Sequence, residues 1–283
     1  MNILDNSLKF LLVFLCRQLH TPTNLLLLSL AVSDFFVGLL MLFQIVPIVG
    51  CWFLGDLMCT MYQYLAAVIT SVSVGTMVLI SVDRYVAICA PLYYSTKITQ
   101  TRVKVCVCLS WKCSVIYYGL MLQDSLKQPG RYNSCLGECV FAFNHVSGVI
   151  DVVVFFIIPI ILIVVLYMRV FVVAVSQAQA MRAHVVAVTR QHSAKVTAKK
   201  SELKAARTLG VVIVVFLICL CPYYCVSLTS PDTLLSASSA VFVIYLYYFN
   251  SCLNPVIYAL FYSWFRKSVQ LIVTLKILHS DIL

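Results

Sequence analysis

Charge is what this sequence has least of. Only 11% of its 283 residues are Asp, Glu, Lys or Arg, and only 10 are acidic, against 62% hydrophobic residues. A water-soluble domain carries roughly 25% charged and about 45–50% apolar residues. A chain this short has no core large enough to hide so much apolar surface, which excludes a soluble protein and makes lipid the solvent. Other absences narrow the function. No paired carboxylates, nucleophile–base pair or metal-ligand spacing marks an enzyme site, and there is no Asn-x-Ser/Thr sequon. No repeat, low-complexity tract or separate soluble domain interrupts the chain, and no two halves match each other as those of transporters tend to. The 13 cysteines are not a disulfide scaffold. Most, such as Cys106, Cys108, Cys219 and Cys252, lie inside apolar stretches and read as small buried hydrophobes. Cys51, Cys59, Cys135 and Cys139 lie at or near the ends that face out, where oxidation is available.

What the chain has in quantity is membrane-length apolar sequence. A spanning helix needs about 20 largely apolar residues, and six stretches qualify: 25–48, 59–88, 103–122, 146–175, 205–228 and 237–260. A further apolar piece at 8–16 is too short to span alone and lacks a small-residue cleavage site, so it is expected to be a clipped first helix over 6–16. Residues 263–278 set Trp264, Phe265, Leu271 and Ile272 against Arg266 and Lys267, a pattern that suits a helix lying on the inner membrane surface. The expected fold is an all-α membrane protein: one seven-transmembrane helix bundle across 1–283, its first helix truncated, with an amphipathic eighth helix.

Basic residues gather at Lys97, Arg102 and Lys104, again from Arg169 through Lys199, Lys200 and Lys204 to Arg207, and at Arg266 and Lys267. Such runs raise the question of nucleic acid. Here they fall between apolar segments, so the positive-inside rule places them in the cytoplasm and no nucleic-acid partner is expected. Asp56, Glu138 and Asp232 fall in the alternate loops. The reading is a multi-pass protein of the plasma membrane with its N-terminus outside and its tail in the cytoplasm, whose net charge of +10 is mostly topology. The longest basic loop, 176–204, joins spans five and six.

Ionisable groups inside lipid are costly and usually functional. Asp34 lies ten residues beyond Asn24, about 15 Å into a core about 30 Å thick. It is either a carboxyl satisfied by neighbouring hydroxyls and amides or a cation or proton site, with Ser73, Asn250 and Asn254 as partners and a bound sodium ion as the candidate occupant. Asp83-Arg84-Tyr85 closes the third span. Alone it reads as a solvated helix end; paired with Glu202 at the start of the sixth span, Arg84 gives a charge latch with two arrangements. Asp151 lies 18 residues before Arg169, roughly 27 Å above the cytoplasmic edge. A carboxylate there either reaches interfacial water or pairs with an ammonium ligand, with Tyr223, Tyr224 and Tyr248 offering faces to the cation.

Taken together, these residues resemble the rhodopsin-like receptors from about Arg17 onward. The matches are Leu30-Ala31-Val32-Ser33-Asp34, Asp83-Arg84-Tyr85, Trp111, Pro159 with Tyr167, Phe216-x-x-Cys219-x-x-Pro222 and Asn254-Pro255-x-x-Tyr258. Within that class the run from Asn250-Ser251 through Tyr258 and Tyr262 to Trp264-Phe265 looks like the seventh-helix fingerprint of trace amine-associated receptors. The stretches Tyr132 to Cys139 and Lys200 to Arg207 look like the fish members. The resemblance implies a receptor for protonated, volatile or trace amines, a stimulatory heterotrimeric G protein and olfactory expression. It implies ligand residues Asp151, Thr70, Tyr223, Tyr224 and Tyr248, and switch residues Asp83, Arg84, Tyr85, Tyr167, Glu202, Pro222 and Tyr258. It also implies a disulfide from Cys59 to Cys139, with Cys59 to Cys135 as the rival pairing.

Three departures from the family pattern matter. Where most amine receptors carry an aspartate 17 residues before that of Asp83-Arg84-Tyr85, this chain has Ala66. A subset of the fish family instead carries one in the fifth helix, eight residues before the proline, and Asp151 is eight before Pro159. Leu220 replaces the usual bulky aromatic between Cys219 and Pro222, which argues against a toggle-type trigger there. The outer half of the first helix and the extracellular tail are missing, so with Cys59 bonded to Cys139 the remaining Cys135 lacks the tail cysteine thought to bond it. Two other functions stay open at this point: a non-signalling truncated receptor remnant and a transporter.

Overall fold

The computed structural model describes residues 21–49, 52–129, 139, 145–187, 210–226 and 237–261. Helix is the regular structure among them, and its boundaries have local causes. Helix α1 (Pro22–Val49) opens with proline at its first position, where no N–H partner is needed, and Thr21 Oγ1 accepts the Asn24 N–H at 3.3 Å. Helix α2 (Asp56–Cys89) follows Gly55, whose φ of 82° favours a residue without Cβ, and Trp52 Nε1 ties down the Gly55 carbonyl at 2.8 Å. A short α3 (Pro91–Lys97) is again opened by proline. Helix α4 (Gln100–Met121) is capped by Thr99, whose hydroxyl accepts the Arg102 N–H at 3.4 Å. Then come α5 (Gln123–Lys127), α6 (His145–Val152), a π turn (Val153–Ile157), α7 (Ile158–Ala187), α8 (Gly210–Val226) and α9 (Ala237–Phe261).

The six apolar stretches expected from sequence therefore correspond to α1, α2, α4, the α6–π–α7 rod, α8 and α9. Four of these are long and apolar enough among the described residues to cross a membrane. The clipped segment 6–16 and the amphipathic segment 263–278 lie outside the described residues. The short helices α3 and α5 and the π turn were not expected.

Helix α2 is the central post. It buries residues along its whole length, from Cys59 to Ile88, and packs on α1, α4 and α7. Leu26 and Leu30 of α1, Met77 and Ile80 of α2, Ile163 of α7 and Phe216 of α8 meet in one apolar cluster. In lipid the hydrophobic effect does little to bring helices together, so close approach and interhelical hydrogen bonds matter more. Gly75 shows the first: a Cβ there would sit 2.7 Å from Ser110 Oγ of α4. Ser29 shows the second, its hydroxyl lying 3.1 Å from Thr76 Oγ1 and accepting Trp111 Nε1–H at 3.2 Å, which joins α1, α2 and α4. Outward, α4 and α7 expose Val105, Leu109, Ile116, Ile161, Val165, Met168 and Val172. A surface of that kind belongs in hydrocarbon, and the chain is a multi-pass membrane protein.

Candidate functional site

Asp151 sits on the last turn of α6, immediately before the π turn, and is half-buried. Its Oδ1 accepts the Tyr118 hydroxyl of α4 at 2.7 Å. The next turn carries Phe155 and Phe156, which point to different neighbours because successive helical residues differ by about 100° in direction. Phe155 is gripped by Tyr117 and Tyr118, with ring centroids at 4.7 and 5.5 Å. Phe156 stacks on Tyr224 of α8 at 4.1 Å with the planes 15° apart. The Asp151 charge lies within electrostatic reach of Tyr117, Tyr118 and Tyr224. The carboxylate is thus held by Tyr118 next to a group of packed rings from α4, the π turn and α8.

Of the expected pocket residues, Tyr224 is a direct neighbour of this site and Tyr223 adjoins it edge-on at 5.4 Å. Tyr223 in turn meets Tyr247 of α9 at 4.7 Å, and Tyr247 meets Tyr248 at 5.4 Å. Thr70 lies beside Tyr247, a residue the sequence reading passed over. Tyr248 is placed further from Asp151: it is buried in a second cluster with Val37, Leu40 and Ile69, Ala66 beside it, and its hydroxyl is 2.9 Å from that of Tyr62. Tyr117, Tyr118 and Phe155 were also missed. Aromatics inside a spanning helix usually signal packing, and nothing in their spacing sets them apart.

A second polar layer lies deeper. Asp34 is 3% exposed, and its Oδ2 accepts Asn254 Nδ2–H at 2.9 Å across the α1–α9 contact. Ser251, in the same Asn250-Ser251 motif, lies beside Asp34 but was not singled out. Asn250 on α9 and Ser73 on α2 are also buried. Asp34 Oδ1, Asn250 Oδ1 and Asn254 Oδ1 are buried without hydrogen-bond partners. One carboxylate oxygen and two amide oxygens without donors are the ligand type that a hard cation takes.

The opposite end of α2 holds a saturated cluster. Arg84 donates to Asp83 Oδ2 from Nε at 2.9 Å and from Nη2 as well, and Nη2 also reaches Thr23 Oγ1 at 2.6 Å. Thr23 donates to Asp83 Oδ2 at 3.0 Å, Tyr94 donates to Asp83 Oδ1 at 2.9 Å, and the two hydroxyls lie 3.2 Å apart. Burial pushes the Tyr94 phenol above its ordinary value, so it remains a donor at neutral pH. The latch expected between Arg84 and Glu202 therefore has a counterpart within α1, α2 and α3, while Glu202 lies outside the described residues. Thr23 and Tyr94 are 60 and 11 residues from Asp83 and carried no sequence signal.

Other expected switch residues are spread along α7, α8 and α9. Tyr85 packs with Ile88 on Val170 and Val173 of α7. Tyr167 lies against Gly210, where an added Cβ would come within 2.8 Å of its ring. Pro222 is half-buried in α8, two residues before Tyr224, and Leu220 is core. Tyr258 lies on α9, with its side chain outside the described residues. Of the two disulfide pairings left open, the structure forms Cys59–Cys139, with Cα atoms 5.6 Å apart; Cys135 is outside the described residues.

Comparison with known proteins bears on this arrangement as a whole. Residues 5–258 match the family described as 7 transmembrane receptor (rhodopsin family). Trace amine-associated receptor 13c of Danio rerio is 36% identical over 293 residues, covering 99% of this chain and 84% of that protein. Trace amine-associated receptor 4 of Mus musculus is 34% identical over the same length and coverage. Trace amine-associated receptor 7a of Rattus norvegicus is 37% identical over 277 residues, 94% of this chain and 76% of the relative.

Proposed function

The chain belongs to the seven-transmembrane receptors of the rhodopsin family and, within them, to the trace amine-associated receptors, and we propose that it answers small protonated amines through Asp151 and signals through a stimulatory heterotrimeric G protein. The observation that carries the ligand is a half-buried carboxylate held by Tyr118 beside the packed rings of Tyr117, Phe155, Phe156 and Tyr224. An ammonium gains charge-assisted hydrogen bonds from such a carboxylate and a favourable face from the rings. Tyr223 and Thr70 line the way from there toward α9, while Ala66 contributes only space.

In this reading the Arg84 end faces the cytoplasm, because Lys97, Arg102 and Lys104 lie there, and the Cys59–Cys139 end faces out of the plasma membrane, with the N-terminus on that side. The route from ligand to G protein runs along α8. At its outer end the Phe156–Tyr224 stack ties α8 to the π turn; at its inner end Gly210 accommodates Tyr167 of α7. A ligand that favours one packing of the stack biases how the inner end meets α7, with Pro222 between them as the bend. Release of Arg84 from Asp83, Thr23 and Tyr94 is the matching event at the G protein surface.

The proposal includes a sodium ion held by Asp34, Asn250 and Asn254, with Ser73 facing them. Such an ion supplies positive charge to a buried carboxylate and ties α1 to α9, favouring the ligand-free packing. The test of the function is cyclic AMP formation in cells expressing the receptor at a measured surface level. Asp151→Asn, which keeps the shape and removes the charge, is expected to abolish amine responses. A variant that answers the same amines at the same concentrations places the anchor elsewhere.

A further inference from the structure

Tyr117 differs from the tyrosines around it. Tyr118 donates to Asp151, Tyr62 and Tyr248 pair with each other, and Tyr94 donates to Asp83. The Tyr117 hydroxyl is buried and has no hydrogen-bond partner. Its ring packs edge-on to Tyr118 at 5.0 Å and against Phe155 at 4.7 Å. Phenylalanine would keep both contacts and remove the cost of an unpaired buried hydroxyl, so packing alone gives no reason for the oxygen. Asp151 lies four residues before Phe155, the ring that Tyr117 packs on, and one of its oxygens is held by the adjacent Tyr118.

We infer that the Tyr117 hydroxyl is a second acceptor for the ligand's ammonium beside Asp151, and that this pair selects primary over tertiary amines. The inference rests on the amine reading given above and deepens it. The reasoning is a matter of counting donors. A primary ammonium has three N–H groups: one can go to Asp151, one to the free lone pairs of Tyr117, and the third side can face the Tyr224 ring. A tertiary ammonium has one N–H, which Asp151 takes, and its N-methyl groups then meet an oxygen left unpaired. Tyr118 acts as a positioning residue: by holding Asp151 Oδ1 it fixes the carboxylate on the side that Tyr117 shares.

The test uses the full-length chain with four probes: 2-phenylethylamine, pentylamine and their N,N-dimethyl derivatives, read as cyclic AMP potency at matched surface expression. The wild-type receptor is expected to prefer each primary amine over its tertiary partner by roughly tenfold, the worth of one hydrogen bond to a charged group. Tyr117→Phe is expected to lose roughly that factor on the primary amines alone, so the preference collapses. A second readout is the melting temperature of the ligand-free receptor in detergent, which Tyr117→Phe should leave unchanged or raise. A preference that survives Tyr117→Phe overturns the inference, and so does an equal loss on all four probes with a lowered melting temperature. Asp151→Asn separates this outcome from failure of the anchor: if it silences all four probes while Tyr117→Phe changes nothing, the anchor holds and the second acceptor does not. A wild-type receptor silent to all four overturns both.

Discussion

The two polar regions of the bundle are completed to different degrees. Around Arg84, every oxygen of Asp83 has a donor, supplied by Arg84, Thr23 and Tyr94 from three successive helices. Toward the other end, Asp34 Oδ1, Asn250 Oδ1, Asn254 Oδ1 and the Tyr117 hydroxyl have none. In a low-dielectric interior a saturated network is held firmly, while an unsaturated one is costly until something completes it. In the proposed function, the first stores a conformation and the others receive charge.

Breaking the receiving side should have the largest effect. Removing one member of a buried charge pair typically costs about 3–5 kcal/mol, roughly a hundredfold to several thousandfold in affinity. Asp151→Asn should therefore shift amine dose–response curves beyond the measurable range while surface staining stays normal. Asp151→Ala combined with Ala66→Asp asks whether an anchor on α2 can substitute; at most partial recovery is expected, because Phe155, Phe156 and Tyr224 are arranged around the α6 position. Full recovery would mean that the rings do not fix the geometry.

Asp34→Asn comes next. If sodium completes the Asp34 layer, exchanging sodium for potassium at constant ionic strength should change wild-type potency severalfold, up to about tenfold or 1.4 kcal/mol. The variant should show no such change, and an equal response to the two salts in the wild type removes the ion from the account. On the saturated side, Tyr94→Phe leaves a buried Asp83 oxygen one donor short, a loss of about 0.5–1.5 kcal/mol. Ligand-free cyclic AMP should rise severalfold, and an unchanged basal level would show that α3 does not restrain Arg84. Glu202→Ala should give the smallest effect, about 0–1 kcal/mol as for an exposed ion pair. A basal rise larger than that of Tyr94→Phe would transfer the restraint from Thr23 and Tyr94 to the sixth span.

The spans and the single residues with strong chemistry were legible in the sequence. Apolar length alone located α1, α2, α4, the α6–π–α7 rod, α8 and α9, and Asp34 and Asp151 stood out as charges in the wrong solvent. What was not legible was who satisfies them. Tyr118, Thr23 and Ser251 are ordinary residues for a membrane helix, and they matter only because folding places them 33, 60 and 217 positions away in sequence beside a carboxylate. The same limit explains Tyr248, expected beside the ligand and found hydrogen-bonded to Tyr62 beneath Trp52. Its direction around α9 depends on how that helix is rotated, which no local sequence signal specifies.

The π turn between Asp151 and Pro159 carries an evolutionary consequence. A turn that bonds five residues back holds about one residue more than an α turn, which swings everything before it by about 100° relative to everything after. The direction from which Asp151 faces the bundle is therefore set by a register shift at Val153–Ile157 as much as by the identity of residue 151. A lineage could turn this anchor toward lipid, or a different side chain toward the bundle, by losing one residue there with every substituted position left intact. Alignments that tolerate a single-residue gap in this stretch would then join receptors whose fifth helices present different faces to their ligands.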